Sequence, residues 1–266
     1  MTPQSFDEIT SWSREGDGWE GRIDASWMQG RGAFGGIVAG AAVRALEQRV
    51  SRPLRGLDGA FLGPLVADVP ARVEVSVLRE GRSVTFASAD VTQEGRPVAR
   101  YTAVLAEPRP SGIRVEAPPP GTRPPRSGAP TLEAREGVPA FIRHLDISLT
   151  EGRIPFTGRP DPGVACWCRF RRPATGAAGL IALADAPPPP FLPMLQAPAP
   201  ASTVRWSAQI LGPLPAAHEG DFWYRSTCTF AADGYAIMQA FLYDADDRPV
   251  VWLEQLAAVF DGISRT

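Results

Sequence analysis

Three polar side chains and one pair of glycines in this chain could do chemistry. Asp185 stands just before the run Pro187–Pro190. An aspartate there serves as a helix cap or turn former, and its carboxylate could also draw a proton. Thr203 begins a strand-like run, an ordinary place for threonine. Gln255 sits in an otherwise apolar final strand, where a buried amide must find partners. Gly35 and Gly36 open a helical stretch. Unpaired backbone N–H groups and the helix dipole favour negative charge at such a start. The missing side chains let a ligand or a packed sheet come close. A carboxylate, a hydroxyl and an amide could together position a water and take its proton.

Other chemistries have thinner support. The three cysteines, Cys166, Cys168 and Cys228, are an odd and sparse set. They point to a reducing compartment without a disulfide framework. Cys166 and Cys168 share one face of a strand as core thiols. With only His144 and His218 in the chain, a Cys/His metal site is poorly supported. No Gly-x-Ser-x-Gly nucleophile elbow is present. A net charge of −2 gives no reason to expect nucleic acid. The first residues have neither the basic nor the apolar region of a signal peptide. No apolar run nears the ~20 residues that span a bilayer. The expected location is cytoplasmic.

The elements that must carry these groups come in two copies. Phe61-Leu-Gly-Pro-Leu65 and Arg96-Pro-Val98 recur as Ile210-Leu-Gly-Pro-Leu214 and Arg248-Pro-Val250, with offsets of 149 and 152 residues. In the first copy, residues 19–27 alternate as a strand, and 37–50 read as a helix with one buried stripe (Val38, Ala42, Leu46 and Val50). Strands are expected near 55–62, 71–79, 83–93 and 96–106. Residues 108–130 hold eight prolines among Gly, Ser and Arg, and read as an extended linker. In the second copy, strands are expected near 140–150 and 163–170. A helix over about 177–184 is stopped by the proline run, and strands follow near 203–211, 221–231, 234–244 and 249–260. The fold class is α+β, with units 1–107 and 136–266 joined by a linker over 108–135.

One helix wrapped by a curved antiparallel sheet, twice over, resembles the double hotdog fold. The detail resembles the bacterial acyl-CoA thioesterase II family. Gly32-Ala-Phe-Gly-Gly-Ile-Val38 looks like the family's helix-start segment. Phe61-Leu-Gly-Pro64 and Val77-Leu-Arg-Glu-Gly-Arg-Ser83 match further family motifs. Ala184-Asp185 resembles the segment with the family's catalytic aspartate. Ser202-Thr203-Val204 resembles the strand start with its threonine or serine, and Leu253-Glu254-Gln255 the final strand with its glutamine. Asp58 stands where family members often carry a histidine.

The resemblance implies a hydrolase of lipid metabolism that converts acyl-CoA to free acid and CoA. It needs no cofactor or metal. Asp185 would activate a water that Thr203 and Gln255 hold, and backbone N–H groups of Gly35 and Gly36 would receive the oxyanion. The acyl chain would lie in an apolar tunnel beside the helix. Arg31, Arg79, Arg82, Arg169, Arg171, Arg172 and Arg205 are candidates for the CoA phosphates. A homodimer is expected by analogy. A shift of 149 sets Asp185 opposite Gly36 and Thr203 opposite Leu54, and a shift of 152 sets Gln255 opposite Ala103. The first copy therefore lacks the polar triad, which implies one catalytic site per chain. The hydratases of this fold use a histidine paired with an acid, and neither histidine has their surrounding motif. His144 falls in a strand-like run, and His218 reads as a solvated loop residue. Two rival readings are a non-catalytic acyl-binding hotdog and a thioesterase for carrier-protein-bound chains.

Overall fold

The computed structural model describes residues 3–150, 155–214 and 218–262. The first half begins with helix α1 (Phe6–Thr10) and strands β1 (Ser13–Glu15) and β2 (Gly18–Gly21). The hairpin of β3 (Met28–Gln29) and β4 (Gly32–Ala33) leads to helix α2 (Gly35–Arg49). A meander follows: β5 (Leu54–Phe61), β6 (Ala71–Glu80), β7 (Val84–Gln93) and β8 (Arg96–Ala106). The second half repeats the plan with β9 (Leu145–Leu149), β10 (Gly163–Phe170), helix α3 (Gly176–Asp185), β11 (Ala201–Ile210), β12 (Phe222–Ala232), β13 (Tyr235–Tyr243) and β14 (Pro249–Val259).

The expected first strand over 19–27 ends early, at Gly21. Asp24 accepts the Ser26 N–H at 2.7 Å and starts a 3-10 turn, Ala25–Trp27, that delivers Trp27 to the core. A similar 3-10 turn, Ala140–His144, replaces the start of the strand expected from 140. The long strands of both meanders lie where alternation placed them.

Twelve strands form one continuous antiparallel sheet in the order β1-β2-β6-β7-β8-β5-β11-β14-β13-β12-β10-β9. The order reads alike from its centre in both directions, so the halves are related by a pseudo-twofold axis between β5 and β11. Asp58 pairs with Ser207 at that junction. These positions are 149 apart, the offset of the repeated motifs.

Helix α2 is buried nearly all round, at every position from Gly36 to Val43 and again at Ala45 and Leu46. This corrects the expected single stripe. The sheet covers one side of α2, while α1 and α3 pack on the others. Alanine and glycine make that approach possible. A Cβ on Gly36 would stand 2.8 Å from the Ala182 Cα. The helices run antiparallel: Gly35 and Gly36 at the start of α2 meet the end of α3, and Glu47 near the end of α2 meets Gly176 and Ala177 at the start of α3. Helix α3 stops at Asp185, two residues before the prolines, which cannot supply the N–H groups of a continuing helix.

The proline-rich segment is extended, as expected, and it is docked on the sheet. Trp223 Nε1 donates to the Pro120 carbonyl (3.2 Å), Trp167 Nε1 to Pro124 (2.9 Å) and the Tyr243 hydroxyl to Pro118 (2.9 Å). The Arg123 guanidinium lies over the Trp167 ring at 5.3 Å. These aromatic residues stand in register on β10, β12 and β13, on the face opposite the buried Cys166 and Cys168.

Gly36→Ala should destabilise the fold by about 1–3 kcal/mol in urea unfolding, because the added methyl meets backbone that cannot step aside. Unchanged stability would show that the helix contact is looser than described.

Candidate active site

The site forms where the start of α2 and the end of α3 meet over the β5–β11 junction. Asp185 is the last residue of α3, and it is only partly exposed. It does not cap the start of its own helix. Its carboxylate accepts a hydrogen bond from the backbone N–H of Gly36, in the first turn of α2. Burial pushes its pKa up to about 7, and the Gly36 N–H opposes that rise. Its Oδ2 stands 2.9 Å from the point a Gly35 Cβ would occupy, with the Phe61 ring 3.4 Å from the same point. Only glycine lets the carboxylate and the ring approach the start of α2 so closely.

The sheet contributes the second group. The Gln255 amide Nε2 donates to the Thr203 hydroxyl. This contact depends on a β-bulge between Thr203 and Arg205. Trp206 and Ala208 point inward on β11, so strict alternation would send Thr203, three residues before Trp206, to the outer face. The extra residue in the bulge reverses the parity. Thr203 then pairs with the buried Ala257, beside Gln255. Asp185 and the Thr203–Gln255 pair share no direct hydrogen bond among the described residues.

One inward-facing row of strand partners spans the junction: Ala89, Tyr101, Gly59, Trp206, Gln255 and Met238. Tyr101 and Trp206 escaped the sequence reading, because a buried aromatic in a strand gives no signal beyond core packing. The Tyr101 hydroxyl and Trp206 Nε1 are buried without a hydrogen-bond partner among the described residues. The ring of Tyr101 meets Phe61 edge-on at 6.1 Å. Tyr101 also feels Asp185: burial and then that carboxylate's charge push its pKa up. The pseudo-equivalent row is Ala87, Ala103, Leu57, Ala208, Leu253 and Ala240, which is wholly apolar.

Glu47, rather than Gly36, is the counterpart of Asp185. The segment after α3, residues 186–200, is longer than residues 50–53 after α2, and this defeats a uniform shift. The Glu47 carboxylate accepts from the Ala177 N–H as Asp185 accepts from Gly36. Burial raises the Glu47 pKa while Arg44 and the Ala177 N–H pull it down. No salt bridge to Asp185 occurs among the described residues.

The remaining candidates separate cleanly. Asp58 is exposed on the outer face, 4.0 Å from Arg205. His144 stacks on Trp27 at 3.8 Å and shares a 2.8 Å hydrogen bond with Ser26, and burial pushes its pKa down to about 4. His218 is buried, contrary to the solvated reading, because its backbone N–H and Nε2 bind the Ala174 and Gly176 carbonyls around the start of α3. Arg169 and Arg171 pair with Asp146, and Arg172 with Glu8. Arg79 and Arg82 belong to the β6–β7 hairpin, near the far end of α2. Arg205 is exposed on the outer face beside Asp58, and Arg31 is exposed in the turn between β3 and β4, just before α2.

Residues 23–106 match the model of the acyl-CoA thioesterase N-terminal domain, and residues 115–259 that of the acyl-CoA thioesterase C-terminal domain. No curated protein matches the chain. Among solved structures, a hot dog fold protein of unknown function from Alicyclobacillus acidocaldarius superposes with a TM-score of 0.87 at 23% identity, over 98% of this chain and 100% of that one. A protein of Thermobifida fusca YX assigned as a thioesterase II gives 0.83 at 24%, over 97% and 99%. An acyl-CoA thioesterase II from Mycobacterium marinum gives 0.73 at 17%, over 96% and 98%. These likenesses carry the hotdog fold, and the two domain models carry the family: the chain belongs to the acyl-CoA thioesterases and is a thioester hydrolase.

Proposed function

We propose that this protein hydrolyses a fatty or related acyl-CoA to free acid and CoA by direct attack of water, with Asp185 as the base. The observation that carries this is the setting of Asp185. Burial holds its pKa at about 7, a helix-start N–H orients it, and glycine at position 35 lets its carboxylate come close to the backbone at the start of α2. A base poised near neutrality is suited to proton transfer in that range. Glu47 has the matching cap but a cation beside it and an apolar row beneath it, which suits a structural role.

Asp185 draws a proton from the water as the water oxygen adds to the thioester carbonyl carbon. Thr203 and Gln255 hold that water in line. The C–S bond then breaks, the proton on Asp185 passes to the departing thiolate, and the carboxylic acid remains. The Gly35 N–H at the start of α2 polarises the carbonyl, and Gly36 positions the base. A groove of about 440 Å³ at the β12–β13 turn could take the acyl chain along Phe191, Met194, Leu195, Tyr235 and Val259, with Asp233 and Asp261 also in its lining. Phe191 packs with Met238 and Ala257, the strand partners of Gln255 and Thr203. Arg31, exposed just before α2, is the arginine best placed to meet CoA phosphates, and two chains would pair through their sheets.

Free-thiol release from acyl-CoAs of graded length tests this reading. Asp185→Asn should lower kcat at least ~100-fold while CoA-ester binding persists. Thr203→Val and Gln255→Ala should each cost roughly tenfold or more. A wild type inert toward every acyl-CoA, or an Asp185→Asn protein of full activity, would overturn it.

Two pH measurements follow from the raised pKa of Asp185. The base must be ionised, so kcat/KM should climb below pH 7 and level off above it; a flat profile down to pH 5 would contradict the assignment. The folded state keeps the Asp185 proton between its unfolded pKa, near 4, and about 7, so this group's contribution to stability falls as pH rises through that window. Asp185→Asn should therefore melt higher than wild type at pH 8, with the gap closing toward pH 4.

A further inference from the structure

The usual source of oxyanion donors in such a site, the start of a helix, is partly spent here: the Gly36 N–H is engaged by Asp185. A second donor for the carbonyl oxygen must come from elsewhere. Tyr101 is wholly buried, and its hydroxyl has no partner among the described residues. A buried polar group without a partner calls for a ligand or a role. The ring is held in place. It lies over Gly59, where a Cβ would stand 2.6 Å from two of its carbons, and it meets Phe61, which in turn borders Gly35. Tyr101 also shares a sheet row with Gln255, two strands beyond the bare Gly59.

The fold supplies its own control. In the pseudo-equivalent row, Leu253 fills the place of Tyr101, and that half of the sheet is built as well. A hydroxyl at this position is therefore not demanded by packing. It occurs only in the row that holds Gln255 and lies at the Asp185 end of the helix pair.

Resting on the function proposed above, we infer that Tyr101 is a further catalytic residue: its hydroxyl donates a hydrogen bond to the thioester carbonyl oxygen and holds it as negative charge develops during water attack. Burial and the nearby Asp185 charge keep the phenol protonated, so it acts as a donor and takes no part in proton removal. The donor is fixed before the reaction begins and pays no reorganisation when the charge appears.

Tyr101→Phe is the test. The variant should lose ~10- to 100-fold in kcat/KM, and its melting temperature should stay level or rise, because no partner is left behind. Binding of two unreactive CoA analogues, measured by calorimetry, gives a readout independent of turnover. One is a ketone with CH2 in place of the sulfur, and the other is a thioether without a carbonyl. The substitution should weaken the ketone at least ~5-fold and leave the thioether unchanged. Wild-type turnover in Tyr101→Phe, or equal loss of both analogues, would overturn the inference while the Asp185 reading stands. A wild type that hydrolyses no acyl-CoA would sink that reading, yet a selective loss of ketone binding would still place Tyr101 on the carbonyl. A wild type that hydrolyses no acyl-CoA and binds neither analogue would overturn both.

Discussion

The contact on which this site depends is the meeting of two helix ends. The final carboxylate of α3 takes a backbone N–H from the first turn of α2. It forms only because the helices pack almost backbone to backbone, with glycine and alanine at the crossing. Both copies of the fold make the same contact, with Glu47 and Ala177 closing the far end. Reciprocal capping of this kind satisfies orphan donors at both helix starts and fixes how the halves sit.

The two ends then diverge in what surrounds the carboxylate. At the Glu47 end a guanidinium compensates the charge, and the sheet row below is aliphatic. At the Asp185 end no cation intervenes among the described residues, and the row offers a phenol, an indole N–H and an amide around a bare glycine. Duplication supplied the scaffold twice. The two ends differ in which side chains fill one row, and a few substitutions across a twofold axis suffice to polarise it.

The linker shows a related economy. A stretch rich in proline has few N–H groups to give a sheet ladder, and only its end pairs with β9 at Thr131, but its carbonyls remain strong acceptors and its extended form carries little entropy to lose. The tryptophans and tyrosine of β10, β12 and β13 supply the missing donors. The outer face of the second half is thereby covered by the chain's own connection.

Much of this protein is written along the chain. Alternation and turn signals located the long strands of both meanders, the offset of 149 located the repeat, and the prolines after Asp185 located the end of α3. Asp185, Thr203, Gln255 and the two glycines were legible from residue type and family motif. The burial of α2 on all sides was not legible, since a helix's periodicity records one face and not how many neighbours it has. The true counterpart of Asp185 was hidden by loops of unequal length. The inward turn of Thr203 was hidden by one extra residue in a strand, because a bulge leaves no mark on composition but reverses every alternation beyond it. The unpartnered hydroxyl of Tyr101 could be found only in three dimensions. Hydrogen-bond satisfaction is a property of what surrounds an atom, and strands far apart in sequence determine those surroundings.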